Sequence, residues 1–367
     1  VGNGRFVKSK SALPDIYANS ACVRPADIDN DGDMDLFIGS RSVPREYGII
    51  PKSYLLINDG AGNFTDETSK YAPAVSNVGM VTDAIWIDLN DDSYEDLVLV
   101  GEWMPIRIFY NSADGLTEVT DQYGLQNTTG WWNTIAAGDF NNDGHIDLVV
   151  GNLGLNSFLK ASNTQPVQLY INDFSGNNKL EQILTYYNGS QVYPLASRDM
   201  MIENIPFLAE KYPKYADFAG AAIDDIFNED LLQSAQVRKA VEFASVVLMN
   251  NGDETFTKIN LPIEVQFSPV YAILVDDFDK DGFQDMLTGG NFSGVPPELG
   301  RYDASYGNVL LGEGTGSFKS ASLQSSGFIV TEEIRQMKKI KTPNNQNQIL
   351  VVRNNNTTVI FNQLQNK

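Results

Sequence analysis

Oxygen-bearing side chains recur along this chain at one spacing. Asp27, Asp29, Asp31, Asp33 and Asp35 stand in DIDNDGDMD, ahead of LFIG. Asp88, Asn90, Asp92, Tyr94 and Asp96 repeat the spacing ahead of LVLVG, and Asp139, Asn141, Asp143, His145 and Asp147 repeat it ahead of LVVG. A weaker fourth set is Asp173, Ser175, Asn177, Lys179 and Glu181; the fifth is Asp277, Asp279, Asp281, Phe283 and Asp285. With each set numbered 1 to 9, the oxygens at positions 1, 3 and 5 of a tight loop can converge on one hard cation. Position 7 can add its backbone carbonyl, and the acid at position 9 can close the shell. Position 6 has to turn with positive φ, which Gly32, Gly144 and Gly282 do freely and Asn178 tolerably; Ser93 suits it less well. An all-oxygen set rich in carboxylates favours Ca²⁺ over Zn²⁺ or copper, and Mg²⁺ tends to keep its waters. Three to five structural Ca²⁺ ions are therefore expected. An EF-hand is excluded, because it needs flanking helices and a glutamate at position 12. Here position 12 is Ile38, Leu99, Val150, Leu184 or Thr288.

The same loops account for much of the charge. They hold five, five, three, two and four acids, nineteen of the 47 in a chain of net charge −21. Without cations such clusters repel. So acidic a chain lacks the basic surface that nucleic acid requires. The lone Cys22 rules out an internal disulfide framework and reads as a small core residue. The lone His145 removes most histidine-based catalysis and most zinc sites. No apolar run is long enough to span a membrane as a helix. The opening VGNGRF reads as mid-fold, so a targeting segment is expected to precede it.

The elements that must position these loops are strands. After each loop comes an apolar run, then a hairpin such as YLLINDGAGNF, IRIFYNSADGL, VVLMNNGDETF or NVLLGEGTGSF. Asn-Gly and Asp-Gly turns between apolar runs mark tight hairpins. The unit is strand, loop, strand, longer loop, strand, turn, strand: a four-stranded blade of about 50 residues. The expected fold is an all-β propeller of six blades, with a seventh allowed by the stretch 151–166. Closure is expected by pairing the N-terminal GNGRFVKS with the three C-terminal strands, Phe6 standing where Phe64 and Phe318 stand in other units. One domain, 1–367, is expected, with a helical insertion at 197–240 inside the fourth blade.

The pattern DxDxDGxxDL, followed by a strand and an NDGxGxF hairpin, resembles the FG-GAP/VCBS repeat of integrin α-subunit propellers and bacterial surface proteins. GNLGLN, YPLASRDMM and GRYDASYG resemble an extended group of such proteins in Bacteroidetes. The resemblance implies calcium in the repeat loops, an extracytoplasmic location, and adhesion or ligand binding.

In such a propeller the loops after strand two and before strand one share the face opposite the metal loops. That face would carry Arg41, Arg45, Trp103, Asn152, Asn291, Arg301, Tyr302 and Asp303, joined by Trp131 and Trp132. Tyr47, Glu102, Asn156, Arg198 and Asp199 fall there too. Aromatics beside Arg, Asn and Asp suit glycan or protein ligands. The competing reading is that the tryptophans cap the core and the arginines pair with local acids. Two function classes follow: a non-enzymatic calcium-binding ligand or adhesion module, and a polysaccharide-active enzyme using that face. The second needs a convergent acid pair, for which Glu102 with Asp303 is a candidate. The absence of Ser-His-Asp or Cys-His sets favours the first.

Overall fold

A computed structural model describes residues 7–9, 11–295 and 299–362. Short apolar runs bounded by Asn, Asp and Gly become strands, and these form six antiparallel sheets among the described residues. The first sheet holds β1 (Asn19–Ala26), β2 (Asp35–Ser42), β3 (Tyr54–Asn58) and β4 (Phe64–Asp66), in that order. The second holds β5 (Met80–Ile87), β6 (Asp96–Met104), β7 (Arg107–Tyr110) and β8 (Thr117–Glu118), with β9 (Gly130–Trp131) added to the end of β6. The third begins with β10 (Thr134–Gly138) and β11 (Asp147–Gly151).

The chain then leaves to build a separate sheet. Its strands are β12 (Val167–Asn172), β13 (Glu181–Asn188), β14 (Gln191–Pro194) and β15 (Gln236–Ala240), in the order β14-β13-β12-β15. Only afterwards do β16 (Val246–Asn250) and β17 (Phe256–Asn260) complete the third sheet, β16 pairing with β11. Two sheets follow: β18 (Val270–Asp276), β19 (Asp285–Gly290), β20 (Asn308–Gly312) and β21 (Phe318–Ser320), then β22 (Ile334–Lys341), β23 (Asn347–Arg353) and β24 (Val359–Asn362).

The first strands of the five meander sheets pack in chain order: β1 on β5, β5 on β10, β10 on β18, β18 on β22. Apolar side chains fill the space between successive sheets. Phe37, Leu55, Val81 and Phe109 lie between the first two; Val98, Ile108, Trp132 and Leu148 between the second and third. Val149, Val247, Val270 and Met286 follow, then Leu287, Ile334, Met337 and Val351. β6, β11, β16 and β19 are buried along their whole length, as strands covered on both faces must be. Polar ties link the inner strands. Asp83 on β5 pairs with Arg24 on β1 and accepts from Thr134 Oγ1 (2.9 Å) and the Ile135 N–H (3.2 Å) of β10. Lys339 on β22 pairs with Asp276 on β18.

The stretch expected to be a fourth consecutive blade is instead a sheet inserted between two strands of the third. Five short helices, Arg198–Asn204, Leu208–Lys211, Tyr215–Phe218, Ile223–Ile226 and Glu229–Ser234, cover one face of it. Met201, Ile205, Leu208, Ile226 and Phe227 pack there with Phe174 and Ile183. From its other face Leu169 and Ile171 join the cluster of Met80, Trp103 and Tyr302. The helical stretch ends at Ser234: residues Gln236–Ala240 form a strand because the free edge of β12 offers them a full ladder. The expected N-terminal strand with Phe6 lies outside the described residues. No helix among the described residues is long and apolar enough to cross a membrane.

Candidate functional site

Each of the five oxygen-rich loops joins the first and second strands of a sheet, and all five fold alike. The position 1 carboxylate accepts two backbone N–H groups of its own loop. For Asp27 these come from Asp31 and Gly32 (both 3.0 Å), for Asp139 from Asp143 and Gly144 (3.1 and 3.0 Å). Asp88, Asp173 and Asp277 do the same. The position 5 side chain accepts the position 7 N–H: Asp31 from Asp33, Asp92 from Tyr94, Asp143 from His145, Asn177 from Lys179, Asp281 from Phe283 (2.8–3.1 Å). In the first and fifth loops these bonds leave positions 1, 3 and 9 facing one another. Position 6 is left-handed throughout, φ running from +62° at Asn178 to +97° at Gly32, with Ser93 at +74°. Position 4 is left-handed as well: Asn30, Asp91, Asn142, Gly176 and Lys280. Four of those five are Asn, Asp or Gly, the residue types that enter the left-handed region most readily.

Position 9 does a second job. Asp35, Asp96, Asp147 and Asp285 are fully buried. One oxygen of each takes the N–H of position 2: Ile28 (3.0 Å), Leu89 (3.0 Å), Phe140 (2.9 Å) and Phe278 (2.8 Å). The other takes an N–H at the end of the sheet's third strand: Asn58 (2.7 Å), Asn111 (2.8 Å), Asn250 (2.7 Å) and Gly312 (2.8 Å). The acid thus staples loop to sheet. Burial pushes all four carboxyls up, Asp96 and Asp147 to about 6. Position 7 side chains pack on the outer hairpin: a Cβ on Gly252 would lie 2.4 Å from His145 Nε2, and one on Gly314 2.2 Å from Phe283.

The loops fit a hard cation to different degrees. Carboxylate oxygens of Asp27, Asp29 and Asp35 all lie within 4.8 Å of one another, as do those of Asp277, Asp279 and Asp285. In the first loop Asp29 Oδ1 and Asp33 Oδ1 are buried with no hydrogen-bond partner. Neighbouring acids add to burial in raising the Asp33 carboxyl. An orphaned oxygen within the three close carboxylates and a second on Asp33 fit the donor set of a hard cation. In the second and third loops Asn90 and Asn141 hydrogen-bond Asp92 and Asp143 (3.0 and 2.7 Å). In the fourth, Ser175 Oγ donates to Glu181 (2.7 Å), so the position 3 and 9 side chains satisfy each other.

At the opposite end of the same strands a polar cluster forms. Arg41 Nη2 pairs with Glu102 Oε1 (2.6 Å), the Tyr47 hydroxyl donates to Glu102 Oε2 (2.8 Å), and Trp103 Nε1 donates to the Tyr47 hydroxyl (3.0 Å). Trp131 stands edge-on to Trp103, ring centroids 5.0 Å apart, because β9 pairs with β6 there. The other expected ligand residues divide. Trp132 is wholly buried, its indole bound to Thr128 O (2.9 Å), so it caps the core. Asn152 and Asn291 are buried with their side-chain amides on backbone groups, and Tyr302 is buried with its hydroxyl 3.0 Å from Ser157 Oγ. Arg45, Arg301 and Asp303 are exposed. The sequence reading missed Tyr271 and Arg335, which lie in first strands of later sheets, and Glu333, which directly precedes one; they approach the cluster only through the packing of those sheets.

Antiparallel sheets, five of the six among the described residues carrying an oxygen-rich loop between their first two strands, define an all-β repeat protein. The chain contains FG-GAP repeats at its second and third loops: an FG-GAP-like repeat is matched over residues 88–150 and an FG-GAP repeat over 131–170. No curated protein sequence matches the chain. Among solved structures, the V. cholerae biofilm matrix protein Bap1 is similar at 9% identity, covering 94% of this chain and 68% of that one, with a TM-score of 0.35. BBS1N, solved in complex with ARL6DN, is similar at 9% identity over 98% of this chain and 95% of that one, TM-score 0.33. The exotype rhamnogalacturonan lyase YesX is similar at 11% identity over 94% and 56%, TM-score 0.36.

Proposed function

We propose that the chain is a calcium-stapled, propeller-type ligand-binding module that acts outside the cytoplasm. The meander sheets are its blades, arranged about one axis. Ca²⁺ sits in the loops on one face, and a glycan or protein ligand, as in adhesion, docks on the other. The observation that carries the reading is the first loop, where Asp27, Asp29 and Asp35 crowd together beside two orphaned carboxylate oxygens. The fifth loop supports it with Asp277, Asp279 and Asp285. The ion would supply no chemistry: it would neutralise the acids and lock loop to sheet through position 9.

The test is thermal unfolding of metal-replete protein with excess EGTA and with millimolar Ca²⁺, beside calorimetric titration. Each site that binds only the folded form adds about 2.7 kcal/mol at a hundred times its Kd. Calcium should raise the melting temperature and titrate at two sites or more. Identical melting in both buffers with no binding heat would reject the staple. A glycan and protein array probed with and without Ca²⁺ tests the ligand-binding half.

A further inference from the structure

Side chains from four sheets meet at the end of the inner strands away from the metal loops. Arg41 lies in β2, Glu102 in β6 and Tyr271 in β18, while Glu333 and Arg335 stand at the start of β22. The Arg335 guanidinium lies over the Tyr271 ring, 4.3 Å from its centroid. Burial pushes the Tyr271 hydroxyl up to about 12, and Arg335, Glu102, Arg41 and Glu333 all lie near enough to act on it.

Its hydrogen bonding is unbalanced. Every carboxylate oxygen is taken. Glu102 receives Arg41 and Tyr47; Glu333 receives the Ser293 N–H (2.8 Å), Ser293 Oγ (2.5 Å), Arg335 (2.5 Å) and Asn354 Nδ2 (2.8 Å). Donors are left over. Arg41 uses only Nη2 and is half exposed, which leaves Nε and Nη1 open. Arg335 spends Nη1 and Nη2 but not Nε. The Tyr271 hydroxyl has no hydrogen-bond partner among the described residues. The wall behind them is fixed: Trp103 is buried in a left-handed conformation, φ +60°, with its indole on Tyr47. Bulky residues hold such a conformation only where the surroundings enforce it, and they cluster at functional sites.

A site with spent acceptors and open cationic donors wants a ligand rich in acceptor oxygens, and a carboxylate is the strongest acceptor for a guanidinium. The net charge of −21 opposes a dense polyanion and admits a ligand with one carboxylate. The Tyr271 hydroxyl can both give and take a hydrogen bond, which suits a sugar hydroxyl beside that carboxylate; an acidic peptide side chain carries no such group. Resting on the ligand-binding reading above, we infer that Arg41, Tyr271 and Arg335 form a subsite for a sugar acid, the carboxylate on the two arginines and a neighbouring hydroxyl on Tyr271.

The test is calorimetry or NMR titration of the calcium-loaded protein with D-glucuronate, D-glucose and a blocked Gly-Asp-Gly peptide. Glucuronate should bind, and glucose and the peptide should bind about tenfold more weakly or not at all. Arg41→Gln and Tyr271→Phe should each weaken glucuronate, Arg41→Gln by about tenfold, and Tyr271→Phe should leave melting unchanged. Arg41→Lys, able to retain the Glu102 ion pair, covers a failure of Arg41→Gln to fold and should also weaken binding. No glucuronate binding, or binding indifferent to Arg41 and Tyr271, overturns the sugar acid. Tighter binding of the peptide overturns it too, while leaving a ligand-binding face. Only array ligands whose binding ignores both residues would remove the face as well.

Discussion

Replacing Asp29 by Asn should stabilise the metal-free protein and lose most of that gain when calcium is present. In the first loop its carboxylate lies within 4.8 Å of those of Asp27 and Asp35. At that separation a pair of unit charges in a water-like dielectric repels by about 0.9 kcal/mol, more if the surroundings are drier. Asp29→Asn removes two of the three pairs, so metal-free protein should gain about 1.7 kcal/mol at low salt. For a chain of this size that is a rise in melting temperature of roughly 2–4 °C. Salt should shrink the gain, because the charges are screened. With calcium present most of that gain is cancelled. The carboxylate is then a ligand, and a tenfold loss of affinity at that site removes about 1.4 kcal/mol of linked stability. The assay is differential scanning calorimetry of wild type and Asp29→Asn, in EGTA and in millimolar Ca²⁺, at two salt concentrations. A destabilised variant in EGTA, or equal shifts in both buffers, would refute the claim that these acids are crowded for the sake of a cation.

Three further outcomes are expected. Asp83→Ala removes the partner of Arg24 and leaves the Ile135 N–H unsatisfied between three inner strands; it should cost about 2–5 kcal/mol in urea unfolding, and a loss under 1 kcal/mol would show the tie to be dispensable. Burial holds the Asp96 and Asp147 carboxyls near 6, above the ordinary value of 3.8, so the metal-free fold binds more protons than the unfolded chain between those pH values. That stabilisation is lost as pH rises through about 6, so melting in EGTA should be higher at pH 5 than at pH 7.5, and calcium should help more at pH 7.5; melting in EGTA that is flat or rises over this range contradicts it. Burial pushes the Cys22 thiol up to about 12, so iodoacetamide at pH 8 should label it only on unfolding; labelling of native protein at the rate of a free thiol would place it at the surface.

The amino-acid sequence by itself determined the local chemistry. Oxygens at alternate positions, with Gly or Asn at the turn, dictate the loop, because backbone N–H groups within nine residues cap the position 1 and 5 side chains. Alternating apolar runs and Asn-Gly turns dictate the strands, since hairpin pairing is also local. Tertiary structure decided what depends on distant partners. Position 9 reads as a metal ligand, yet Asp147 also staples Asn250, 103 residues away across the inserted sheet. The inserted sheet looked like another repeat because β12 to β14 carry the same local pattern; only the pairing of β11 with β16 shows that it interrupts the third sheet. Trp131 and Trp132 are neighbours in sequence, but Trp132 faces the core between two sheets while Trp131 meets Trp103. Tyr271 and Arg335 join Arg41 only because strands nearly 300 residues apart pack end to end in one series, and no spacing within a repeat encodes that meeting.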